Sequence, residues 1–156
     1  MEELLNDDWR EFLSLMISKR VKFLLLGGHA VSIHASPRMT EDLDVFVETS
    51  LPNATRLRRV LVEFGFGEAA PSAQRLATEG KIFMIGVPPR RIDILTKISG
   101  VRFATAWNNR IRMRLSLGTI NVISRRDLIR NKRASGRDKD LADLVALKQR
   151  ALTEKK

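Results

Sequence analysis

A chain of 156 residues with 44% apolar and 29% charged side chains is long enough to bury one core and too short for two ordinary ones. It contains no Cys, which excludes disulfides and thiolate chemistry and leaves only oxygen and nitrogen ligands for any metal. The net charge of +10 is uneven: residues 1–50 carry 5 basic and 9 acidic side chains, residues 51–100 carry 8 and 4, and residues 101–156 carry 15 and 5.

An acidic front and a basic back predict that cations gather in one place and polyanions in another; the alternative is a solvated basic surface without a partner. No apolar run is long enough for a transmembrane span, and the acidic start does not read as a secretion signal, so a cytoplasmic protein is expected.

Leu5, Trp9, Phe12, Leu13, Met16 and Ile17 recur at helical spacing after Asn6-Asp7-Asp8, which predicts a helix over about 6–19. Val21 to Leu26 reads as a short apolar strand that stops at Gly27-Gly28, followed by a short helix over 28–35 that Pro37 prevents from continuing. The next strand covers about 41–48. Pro52 opens an amphipathic helix with Leu57, Val60, Leu61 and Phe64, closed by Gly65 and Gly67.

After a polar loop, residues 81–87 and 91–97 are rich in strand formers, joined by Pro88-Pro89-Arg90; residues 99–108 carry no clear pattern. RIRMRLSLGTINVI reads as two strands meeting at Gly118. Two helices follow, over about 125–134 and 138–151, and the chain closes on a charged tail, Glu154-Lys155-Lys156. The irregular mixture predicts an α+β (mixed α/β) fold, a small mixed β-sheet packed by helices.

Asp42 and Asp44 interrupt the second strand pattern. Residues i and i+2 of a strand share a face, so the two carboxylates stand roughly 6.5–7 Å apart at Cα, while Leu43, Val45 and Val47 point the other way. Two like charges on a partly buried face repel, and burial disfavours both, so something should neutralise them. An exposed strand face and pairing with Arg38 are the plain alternatives. Mg²⁺, which favours one or two carboxylates together with substrate phosphates, is the chemical one.

A third acid, Asp93, lies between branched apolar residues in Arg91-Ile92-Asp93-Ile94-Leu95, where a salt bridge to Arg90 or Arg91 would also account for it. Three strand-borne acids can converge on two cations about 3.5–4 Å apart, the arrangement for in-line phosphoryl displacement. In that scheme Asp42 and Asp44 bridge both ions, and Asp93 holds the ion that activates the attacking hydroxyl or accepts its proton.

Gly27 and Gly28, lacking Cβ atoms, would let backbone approach a ligand, and the helix behind them offers free N–H groups to phosphate oxygens. Arg38 and Thr40 would contact the triphosphate or simply order their loop. The two histidines, His29 and His34, would lie about 140° apart on a helix and cannot form a joint site there. A hydrogen-bonded first-turn residue is the plainer reading of His29 than a nucleotide contact.

Glycine pair, spaced Asp-x-Asp in an apolar setting and later lone acid together resemble the DNA polymerase β-like nucleotidyltransferase superfamily; thirteen residues separate Gly28 from Asp42. The C-terminal stretch Leu128 to Ala134, followed by Arg137-Asp138-Lys139-Asp140-Leu141-Ala142-Asp143-Leu144, is similar to the Arg-x-Lys-Asp-x-x-Asp motif of AbiEii-like nucleotidyltransferases. That group includes toxins of abortive-infection and toxin–antitoxin systems.

The resemblance covers about 21–148 and implies a single domain over 1–156, with a catalytic sheet core over about 20–123 and basic helices over about 124–151. It implies Asp42, Asp44 and Asp93 as metal acids, two Mg²⁺ ions (or Mn²⁺) as cofactors and an NTP as substrate. Lys132, Arg137 and Lys139 would lie near nucleotide or acceptor, and Asp140 and Asp143 would organise the last motif. A cognate antitoxin or toxin protein becomes an expected partner.

Arg110, Arg112 and Arg114 alternate; on a strand all three guanidiniums would project from one face and could track a polynucleotide backbone. Arg125, Arg126, Arg130 and Arg133 read as a solvated face. Aromatics make up 6% of the chain and Tyr is absent, so base-stacking platforms are not expected. The basic rear half makes tRNA or another RNA the first expectation for the acceptor; a protein or a small molecule of the antibiotic type is second. A non-catalytic nucleic-acid-binding module is the competing class.

Overall fold

Asn6 caps the first helix, α1 (Asp7–Ser18), by accepting a hydrogen bond from the Trp9 amide at 2.9 Å, and Asp7 and Asp8 occupy its positive first turn. The stripe expected from the sequence, Trp9, Phe12, Leu13 and Met16, is buried. The computed structural model describes the backbone of residues 1–154 and the side chains of residues 1–150, so Lys155 and Lys156 of the charged tail lie outside the described residues.

Strand β1 (Phe23–Leu26) is buried at all four positions, so the sheet is covered on both faces there. It runs without a loop into α2 (Gly27–His34), and β2 (Asp42–Val47) follows. Ser50 caps α3 (Leu51–Leu61), with Pro52 in its first turn, and a π-helical turn over Val62–Phe66 carries the chain to Gly67.

The expected polar loop beyond contains one turn of helix, α4 (Ala73–Leu76), anchored by buried Leu76. Strands β3 (Ile82–Ile85) and β4 (Arg91–Leu95) form an antiparallel pair. The patternless stretch after them holds α5 (Phe103–Asn108), too short for periodicity to reveal; Phe103 sets it edge-on against Phe46 at 5.1 Å.

Strands β5 (Ile111–Leu115) and β6 (Gly118–Val122) form the expected hairpin, and α6 (Arg125–Ser135) and α7 (Asp138–Glu154) complete the described chain. Gly136, at φ +64°, supplies the left-handed residue that ends α6 and lets α7 turn back onto it.

The strands form one six-stranded mixed sheet in the order β3-β4-β2-β1-β6-β5. Its central pairing is antiparallel between β1 and β2, and flanking it β2 runs parallel to β4 and β1 parallel to β6. This is the α+β architecture that the mixed pattern predicted.

One polar side chain pins the middle of this sheet to a helix. Asn53 of α3 is fully buried; its Oδ1 accepts from the Lys22 amide at 2.7 Å, and its Nδ2 donates to the carbonyls of Lys22 and Glu48 at 3.0 and 2.9 Å. It satisfies the Lys22 amide just before β1 and the Glu48 carbonyl just after β2, and shares the Lys22 carbonyl with the Glu48 amide. Asn53→Ala should cost about 2–3 kcal/mol in urea unfolding, because three hydrogen bonds go and two backbone groups lose their partner. A loss below about 0.5 kcal/mol would show that water replaces the amide freely.

Candidate active site

The parallel register of β2 and β4 sets Asp42 opposite Arg91 and Asp44 opposite Asp93, so four charged side chains meet on one sheet face. Asp42, Asp44 and Asp93 each offer a carboxylate oxygen to a cluster whose atoms all lie within 4.8 Å of one another. Asp93, 49 residues from Asp44, is thus brought to the pair by strand pairing.

Arg91 lies beside them. Its Nη2 donates to Asp42 Oδ2 at 3.0 Å and to Asp93 Oδ2 at 3.1 Å, and its Nε is 2.9 Å from Asp93 Oδ1. The salt bridge considered for Asp93 exists, and it coexists with the acid cluster. Burial, then the charges of Asp42 and Asp93 and a hydrogen bond with Asp93, push the Asp44 carboxyl up to about 7.

The residues fit a divalent cation by two observations. The donors are hard carboxylate oxygens, and Oδ1 of buried Asp93 accepts no well-aligned hydrogen bond, its one neighbour being the ion-paired Arg91 Nε at 2.9 Å.

β1 ends where Leu26 pairs with Asp44, which delivers Gly27 to the acids. Gly27 has φ +62°, and a Cβ there would fall 2.0 Å from Asp44 Oδ2, so no other residue fits without moving the carboxylate. A Cβ on Gly28 would stand 3.1 Å from Thr40 Oγ1 and 3.6 Å from Arg38 Nη2. Arg38 and Thr40 therefore border the N-terminus of α2. The Thr40 hydroxyl donates to the Asp42 carbonyl at 2.8 Å, and so also orders the loop.

The C-terminal motif reaches the same place through buried ion pairs. Arg38 Nη1 and Nη2 donate to Asp143 at 2.5 and 3.3 Å. Asp143 also faces the Lys132 ammonium at 3.1 Å, which donates to Asp140 at 3.0 Å. Arg137 Nε donates to Asp140 at 2.8 Å, and the Ser135 hydroxyl donates to the same carboxylate. Burial tends to raise the Asp140 carboxyl, but these hydrogen bonds outweigh it and hold it well below the usual carboxylate range.

Lys132 lines the cleft wall, yet it is 4% exposed and its ammonium is engaged with two aspartates. Arg137 and Lys139 are exposed at the rim, and the charge of Lys139 acts on Asp44.

These parts line a cleft of about 700 Å³. Sequence reading passed over its other wall, where Ile82 and Met84 of β3 are 55% and 62% exposed beside Leu95, Lys97 and Asn131. Exposed aliphatic residues on an edge strand were legible only as strand formers.

Two expectations need correction. His29 is fully buried with its ring edge-on to Trp9 at 5.0 Å, and neither ring nitrogen has a hydrogen-bond partner among the described residues; burial pushes its imidazole down to about 4. Trp9, the residue that crowds it, turns its own indole N–H away to the carbonyls of Arg90 and Arg91.

The three-arginine row does not lie wholly on a strand. Arg110 precedes β5 and folds back over Trp107, 4.0 Å from the ring centroid, donating to the Trp107 carbonyl and to Asn121. Arg112 and Arg114 are exposed on β5, three strands from β2, or roughly 14 Å across the sheet.

An acid cluster on paired strands beside a glycine turn that opens a helix is the arrangement expected of a nucleotidyltransferase. The chain belongs to the family described as "Nucleotidyltransferase of unknown function (DUF6036)", whose model matches residues 8–152. No curated protein matches it. The protein is therefore a nucleotidyltransferase, which implies a nucleoside triphosphate as substrate. Among the described residues no helix is long and apolar enough to cross a membrane.

The shifted carboxyl has a measurable consequence. Asp44 ionises near 3.8 when solvated but near 7 in the fold, so its stabilising contribution is complete below pH 3.8 and is lost as pH rises through 7. Asp44→Asn removes that loss. In EDTA, the stability of Asp44→Asn relative to the parent chain should increase between pH 5 and pH 8. A pH-independent difference in urea midpoint would mean that the carboxyl is not raised.

Proposed function

We propose that this nucleotidyltransferase is metal-dependent, with Asp42, Asp44 and Asp93 as its metal acids and RNA as its acceptor. The observation that carries the metal reading is the meeting of the three acids within 4.8 Å on one sheet face. Two Mg²⁺ ions, or Mn²⁺, held by these carboxylates would neutralise phosphate charge and align the reacting oxygens.

The chain's own groups do the rest. The N-terminus of α2 presents backbone N–H groups to the triphosphate at Gly27 and Gly28, where absent Cβ atoms leave the approach open. Arg38 and Thr40 flank that approach, with Arg137 and Lys139 at the rim supplying further positive charge. Asp140, Asp143 and Lys132 hold Arg38 and the start of α7 in place.

The acceptor hydroxyl forms a bond to the α-phosphorus as the bond to the bridging oxygen breaks. Pyrophosphate leaves, and the hydroxyl proton passes to a carboxylate, a role we give to Asp93. Catalysis is mostly positioning and charge compensation.

RNA as acceptor is supported by the basic rear half, where residues 101–156 carry a net charge of +10. Arg112 and Arg114 remain exposed and available to a phosphate backbone. The likeness of the last motif to AbiEii-like enzymes extends the proposal to a toxin–antitoxin or abortive-infection setting with a cognate protein partner.

Incubation of the protein with each labelled NTP and Mg²⁺ in a lysate should transfer label to an acceptor, and Asp42→Ala and Asp44→Ala should each lower transfer by at least about 10³-fold while retaining the fold. Full activity in either variant would remove the metal assignment, and label on no acceptor would remove the metal-dependent transfer proposed.

RNA binding should weaken steeply with added salt, and replacing Arg112 and Arg114 should flatten that dependence. Salt-insensitive acceptor binding would instead identify a protein or small molecule.

A further inference from the structure

Resting on the metal reading of the same acids, we propose that Arg91 is the resident counter-ion of the acid cluster and competes with divalent cations for it. One guanidinium nitrogen, Nη2, is shared between Asp42 and Asp93 at 3.0 and 3.1 Å, and Nε stands 2.9 Å from the other Asp93 oxygen. Two of the three acids thus already share a cation. It arrives on the strand position two residues before Asp93, and so on the same sheet face.

A guanidinium does not deprotonate in a protein, so this charge leaves the acids only by moving away. A divalent cation that engages Asp93 must take an oxygen that Arg91 now contacts, and it meets a positive charge within hydrogen-bond distance of its ligands. Both effects weaken the binding of a free cation.

A nucleoside triphosphate changes the balance. It brings negative charge into the cleft that Arg91 lines, and offers phosphate oxygens to the guanidinium N–H groups the carboxylates would release. The centre therefore binds free cation weakly and is loaded by the metal–nucleotide complex. Arg91 is a positioning residue in this scheme, since it acts through the carboxylates.

Mn²⁺ titration of the full chain without nucleotide, with free Mn²⁺ read by electron paramagnetic resonance, tests this. Arg91→Gln should bind Mn²⁺ about tenfold or more tightly than the parent. Arg91→Lys keeps the charge and should stay within about threefold of the parent. In EDTA the Gln variant should melt below the parent, and Mn²⁺ should raise its melting temperature by more.

Circular dichroism checks that each variant is folded, and Arg91→Met provides a second neutral replacement. Unchanged or weaker Mn²⁺ binding in the folded neutral variants overturns the proposal, as does equal tightening in Arg91→Lys. Asp44→Asn separates two kinds of failure. Mn²⁺ binding that depends on Asp44 but ignores Arg91 defeats the counter-ion alone, whereas binding independent of Asp44 in every background defeats the metal centre with it.

Discussion

The parallel pairing of β2 with β4 is the constraint on which the rest of the site depends. It forces Asp44 beside Asp93 and Asp42 beside Arg91, in register, on a sheet whose neighbouring positions are buried apolar residues. Left as three carboxylates, that face would be strongly unfavourable, since like charges so close cannot all ionise cheaply away from water. The fold meets the problem with the Arg91 guanidinium and a raised Asp44 carboxyl. A carboxyl raised by burial and like charge at a cleft supports the choice of these residues as the candidate centre.

A second network ties the C-terminal helices to that centre. Lys132 is inserted between Asp140 and Asp143, and Asp143 reaches Arg38 in the loop leading to β2. Such buried pairs contribute little net stability compared with apolar packing, but removing one partner leaves an uncompensated buried charge. Their effect here is placement: α7 fixes the side chain that borders the N-terminus of α2. The cleft is consequently built by distant parts of the chain, with the acids on the sheet and Lys132 and Lys139 on the C-terminal helices.

The cleft also has an uneven chemistry that bears on what enters it. One wall carries charge, while the outer strand β3 exposes Ile82 and Met84 beside the acids. A triphosphate belongs with the charged wall. Among the described residues that line the cleft none is aromatic.

Much was legible in the sequence because the signals were local. Helical spacing disclosed α1, α3, α6 and α7, and the i, i+2 rule placed Asp42 beside Asp44. The short helices α4 and α5 escaped, since one or two turns carry too few residues for a period and are held by the tertiary contacts of Leu76 and Phe103. His29 was misjudged because its unsatisfied burial comes from Trp9, twenty residues away. Arg110 was misjudged because it precedes β5 and its guanidinium lies over Trp107.

By itself the sequence determined the kinds of element, the residues able to ligate a cation, and the charge asymmetry between the halves, all properties of near neighbours. Only the tertiary structure decided which strand lies beside which, that Arg91 sits among the acids, and that Lys132 is buried in ion pairs, because strand order and side-chain partners arise from contacts across dozens of residues.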